Sequence, residues 1–155
     1  MARPRKVSES IILQTARKIF IKYGPGAPTH LIADAVGLST PALFNHFPTK
    51  KALMLAALKS PKTSDWARKI EEGPDDRSLE EQLLEIGTIV QAYFDYVTVN
   101  LIILKGSNIS TKEYISTHEE PPPVLTIKAL SEWFIRAIEK ELIKPIDPQT
   151  AAKIF

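Results

Sequence analysis

Side chains suited to reading a nucleic acid are gathered between Ser39 and His46. Asn45 carries the paired donor and acceptor that match a base edge, Ser39 and Thr40 carry hydroxyls that serve as either, and Pro41 and Ala42 offer apolar surface for a thymine methyl. In a helix opening at Ser39, Thr40, Pro41, Asn45 and His46 fall on the outward side with Ala42 nearby, while Leu43 and Phe47 fall on the side that packs inward. This is recognition chemistry. Bond-making chemistry has little to work with: the three histidines are scattered, cysteine is absent, and neither a nucleophile elbow nor a Gly-rich phosphate loop is present. His118-Glu119-Glu120 lacks the second histidine of a metalloprotease helix. The pairs Asp75-Asp76 and Glu119-Glu120 flank turns as solvated charges. The expectation is a protein that is not an enzyme and needs no cofactor and no metal.

Two short helices must position these side chains. From Ile32 to Phe47 the spacing predicts a helix, a tight turn at Gly37 and a second helix, the shape of a helix-turn-helix. Ala33 lets the two helices cross closely, Gly37 is free to take positive φ where the first stops, and Leu38 plugs the corner. Ser39 caps the second helix, whose first turn tolerates Pro41 because its N–H groups lack helical acceptors.

This pattern, with Ile12, Leu13, Ala16, Phe20 and Gly24 before it and Phe47-Pro48-Thr49-Lys50-Lys51-Ala52-Leu53 after it, resembles the N-terminal DNA-binding domain of the TetR family of bacterial transcriptional regulators. The resemblance implies a DNA-binding domain over 1–52 and a helical effector-binding and dimerisation domain over 53–155. It also implies that Thr29 and Lys50 touch phosphates and that His46 lies close to the DNA backbone. Phe44 stands where the family commonly has a tyrosine, so one phosphate hydrogen bond is lost while the ring still packs. Pro28 stands where Ser or Thr is usual, in a segment about one residue shorter than the family pattern.

Composition agrees. The chain has 155 residues, 44% of them hydrophobic, which is enough for one or two small domains with a core. The absence of cysteine suits a reducing cytoplasm. The N-terminus is basic but no apolar secretory stretch follows it, and no run of 18 apolar residues occurs. The net charge of +2 is unevenly spread: residues 1–62 carry ten Lys and Arg against two acids, and residues 63–155 carry ten against sixteen. A basic head suits phosphate neutralisation, and an acidic body is repelled by DNA. Arg3, Arg5 and Lys6 form either a basic arm or a solvated tail.

Apolar residues recur every three or four positions, so the fold class is all-α. Helices are expected over about 8–23, 28–36, 40–46, from Thr49 to a break at Ser60-Pro61, and over 64–71 up to Gly73-Pro74. A capping box at Ser78 and Glu81 opens a long helix to about Thr98, with Leu79, Leu83, Ile86, Val90, Tyr93, Phe94 and Val97 as its buried stripe. Val99–Leu104 reads as a short separate buried helix, too short to span a membrane. Pro121–Pro123 opens a helix running through Leu142, and Asp147-Pro148 opens a last one. The family pattern places a similar opening at the first of two final dimer-forming helices, so the resemblance implies a shortened chain, and a homodimer where those helices are present.

Trp66, Tyr93, Phe94, Tyr96 and Trp133 are candidates to line an apolar effector cavity, although aromatics at helical spacing equally fit core packing. The resemblance thus implies a cytoplasmic repressor that binds a double-stranded operator and is released by a small-molecule effector. The alternative is a shortened interaction factor that pairs with a full-length relative.

Overall fold

The computed structural model describes residues 7–59, 64–117 and 122–155. Among them are nine helices and no strand: α1 (Glu9–Tyr23), α2 (Thr29–Val36), α3 (Thr40–His46), α4 (Lys50–Leu58), α5 (Ser64–Glu71), α6 (Leu79–Lys105), α7 (Thr111–Ile115), α8 (Pro122–Glu139) and α9 (Pro148–Ile154). The expected break at Ser60-Pro61, the tail residues Arg3, Arg5 and Lys6, and His118-Glu119-Glu120 lie outside the described residues. Packing divides the chain into one unit of residues 1–59 and 99–117 and another of 60–98 and 118–155.

The first unit is built from helices with clear local beginnings. Ser8, Ser39 and Thr49 each accept a hydrogen bond from the backbone N–H three residues on, a cap worth about 1 kcal/mol. Ile12, Ala16 and Phe20 of α1 are fully buried against Ile32 and Ala33 of α2, Leu43 of α3 and Leu53 of α4. Each large side chain among them contributes about 1.5–3 kcal/mol by leaving water. Ile103 and Leu104 from the end of α6, with Ile109 and Tyr114, complete the same core. Ser110 and Glu113 form a reciprocal capping box that starts α7, a helix the sequence reading did not include.

Between α2 and α3, Gly37 takes φ 73 and ψ 30. Its N–H donates to Asp34 O and that of Leu38 to Ala33 O, at 3.1 and 2.9 Å. This paired closure satisfies two carbonyls that the ending helix would otherwise leave bare.

In the second unit, Ile70 of α5, Ile86 and Val90 of α6, Leu130, Trp133 and Phe134 of α8 and Ala152 of α9 form the core. Gln82 is buried, accepting from Asp75 N and donating to the carbonyls of Asp75 and Arg77. The expected capping box is present, with Ser78 N donating to Glu81 and Glu81 N to Ser78 Oγ. Asp147 likewise caps α9 through Thr150 N at 2.7 Å.

Three expectations need correcting. There is no separate helix at Val99–Leu104: α6 runs on to Lys105, because neither Gly, Pro nor a cap interrupts it near Thr98, and Leu101 and Ile102 of that stretch are exposed. Phe94 is exposed rather than part of the buried stripe. α8 stops at Glu139 instead of reaching Leu142, because Glu141 turns the chain at φ 58, with Glu141 N bonded to Ile138 O and Leu142 N to Ala137 O. By length and composition α6 could cross a membrane. Its apolarity is used in the two cores, and its Asn100 is fully buried and hydrogen-bonded.

Gly37 and Glu141 occupy the same left-handed region with opposite suitability. No atom lies within 4 Å of a Cβ placed on Gly37, so Gly37→Ala is expected to cost only the conformational penalty, about 1–2 kcal/mol. Glu141→Gly is expected to return about 1 kcal/mol. Denaturant unfolding of both variants checks the pair, and a loss at both positions contradicts it.

The hydrogen bond from the Lys51 ammonium, then that from Ser110 N–H, holds the Glu113 carboxyl below its ordinary 4.5. The folded pKa is depressed, so the contribution is complete above 4.5 and is lost as pH falls through the lowered value. In melting curves from about pH 6 to about pH 3, Glu113→Gln should therefore be less acid-sensitive than the wild type.

Candidate nucleic-acid interface

The turn at Gly37 fixes which way α3 faces. Leu43 is fully buried and Phe47 nearly so, which leaves the opposite side of α3 outward, where Pro41 and Asn45 are exposed one turn apart. Ser39 is exposed as well, its hydroxyl oxygen held by Ala42 N at 3.3 Å. Thr40, Ala42 and Phe44 are half-buried along the flanks. A helix presenting one such polar and small-residue face fits a major groove.

Two other helix starts of the same unit carry groups suited to anions. Thr29 is the first residue of α2, whose cap position is Pro28 and whose first turn receives no side-chain cap. Its N-terminal N–H groups are the kind of donors a phosphate accepts from. Lys50 opens α4, immediately after the capping Thr49. The neighbouring Lys51 is paired with Glu113 at 2.5 Å, so the two adjacent lysines have different settings. His46 Nδ1 lies 3.8 Å from Glu9 Oε1, directing the imidazole toward α1.

The candidate effector residues are dispersed. Trp133 and Tyr93 are buried, Tyr96 is half-buried and Phe94 is exposed. Tyr93 and Phe94 meet edge to face with centroids 6.1 Å apart, and Trp133 meets Phe134 at 5.5 Å. The side chain of Trp66 lies outside the described residues. The second unit holds its open space elsewhere: an apolar groove of about 910 Å³ along α6, lined by residues including Leu79, Leu83, Leu84, Gly87 and Phe155, with Glu80 and Asp95 as its acidic members. Leu79 and Leu83, expected in the buried stripe, are half-buried and form one side of it, and Leu84, Thr88, Gln91, Ala92 and Asp95 are exposed along the other.

A short second helix set by a left-handed turn, with its polar side outward, is the arrangement of a helix-turn-helix. Residues 12–57 match the family of bacterial regulatory proteins designated the tetR family. Over residues 12–57 the chain therefore carries a DNA-binding domain similar to the N-terminal domain of those regulators. Among curated proteins and among solved structures, no match to the chain is found.

Proposed function

We propose that the protein is a cytoplasmic repressor that binds a palindromic operator as a homodimer and leaves it when a small-molecule effector binds residues 53–155. The reading head of residues 1–52 uses Ser39, Thr40, Pro41, Ala42 and Asn45 toward bases. Thr29, His46 and Lys50 serve the phosphate backbone, and Phe44 packs beside it. The observation that carries this reading is the exposure of Pro41 and Asn45 on α3 while Leu43 and Phe47 are buried. The concentration of basic residues in 1–62 supports it by favouring approach of that end to DNA.

For the effector, the groove on α6 falls within the ~300–1,000 Å³ range of drug-sized sites. Trp133 borders a smaller pocket of about 110 Å³ beside Ile86 and Gln82, and Tyr93 is buried. Release of DNA requires that the effector bind the released conformation more tightly than the DNA-bound one.

Binding to the chain's own upstream promoter, compared with a random duplex at two salt concentrations and alongside native mass, tests the proposal. Preferential binding by a dimer is expected. Equal, purely salt-driven binding by a monomer sinks it.

Within that assay, Lys50→Ala should weaken binding to every sequence and lower the salt slope by about one. Asn45→Ala should cost about 1–3 kcal/mol at the promoter, relax preference at one position and leave random DNA unaffected. Equal losses on random DNA for both variants contradict the assigned roles.

A further inference from the structure

Asn100 is fully buried in the last turns of α6, and every hydrogen-bonding function of its amide is engaged. Its Nδ2 donates to Leu58 O and to Tyr114 Oη, each at 2.8 Å. Its Oδ1 accepts from the Arg17 guanidinium. The Tyr114 hydroxyl donates in turn to Leu58 O at 3.2 Å. Leu58 is the last residue of α4, so its carbonyl has no partner within the helix and takes two from outside. One side chain thus joins α1, the end of α4, and α7.

The placement matters because the neighbouring apolar contacts are not directional. Ile103 and Leu104 hold the same segment in the core, yet hydrophobic burial alone tolerates small slides. A buried amide does not, since displacing it leaves several polar groups unpaired in a low-dielectric interior. α4 begins at Lys50 and ends at Leu58, so fixing its end fixes its basic start, about 13 Å away along a rigid helix. α1, held through Arg17, packs on both α2 and α4.

We infer that Asn100 is a positioning residue for DNA reading: residues 99–117 belong to the reading unit, and the Asn100 amide holds α1 and α4 in the one register from which α3 meets DNA. The inference rests on the chain being a DNA-binding regulator, and it assigns to the DNA-binding machinery a segment far outside residues 12–57.

The test uses the full chain with Asn100→Ala and Tyr114→Phe, each assayed well below its own unfolding midpoint. Promoter affinity of Asn100→Ala should fall roughly tenfold with an unchanged salt slope, because no phosphate contact is removed. Tyr114→Phe should lose less, because the bond from Asn100 to Leu58 survives. Should Asn100→Ala fail to fold, Tyr114→Phe carries the test with the same slope criterion. Wild-type affinity in the folded variants overturns the inference and leaves the amide a filler of the core. A lowered slope also overturns it, by making Asn100 a determinant of phosphate contact. Amide exchange in α4 supplies an arm without DNA: faster exchange in Asn100→Ala is expected, and unchanged exchange overturns the inference even if the wild type binds no operator.

Discussion

Every helix that stops must find partners for its last carbonyls, and in this protein the ways of doing so set the architecture. α2 closes on itself through Gly37, and that closure sends α3 off at the angle that bares Pro41 and Asn45. α4 cannot close on itself and is finished by Asn100 and Tyr114 from distant sequence. At the last residue of α5 and just beyond it, Glu71 O and Pro74 O receive Arg136 Nη1 and Lys140 Nζ, each at 2.5 Å. The result is a fold whose long-range polar contacts are concentrated at helix ends, while helix faces meet through apolar side chains.

Charge is arranged on a coarser scale. The ion pairs between described residues are at the surface, including Arg77 with Asp75 and Glu85 and Lys69 with Glu72 and Glu85, and pairs of this kind add little stability. Their effect is to leave the second unit's acidic excess dispersed in small neutralised groups. In the first unit Glu9 lies next to His46 and Glu113 next to Lys51. Lys50 appears in none of these pairs.

The first four helices were legible because each is bounded by a local signal. Ser8, Ser39 and Thr49 cap, Gly24 and Gly37 stop, and the apolar spacing between them names Ile12, Ala16, Phe20, Leu43 and Leu53 as core. The end of the helical stretch near Gly106 was legible, but the continuity of α6 through Thr98 was not. Asn100, a polar residue in the apolar run Val97–Leu104, is buried within the helix because partners 42 and 83 residues away satisfy it, which no local signal announces. α7 could have been found, since Ser110 and Glu113 repeat the spacing of Ser78 and Glu81. The aromatics of the second unit were ambiguous in principle: Trp133 has the same helical spacing whether it faces a cavity or a core, and the core of α5, α6, α8 and α9 surrounds it.

The discontinuous first unit also has an order of assembly. Its carbonyl at Leu58 waits for a hydroxyl 56 residues further on. At synthesis rates of about 5–20 residues per second, roughly 3–11 s separate the two. During that interval the DNA-facing helices emerge with part of their apolar core still open, because Ile103, Leu104, Ile109 and Tyr114 have not been made. In this state the carbonyl that ends α4 lacks its hydroxyl partner, and the core is complete only after residue 114 has been added. The first unit is thereby finished only after residues 60–98 of the second have been made.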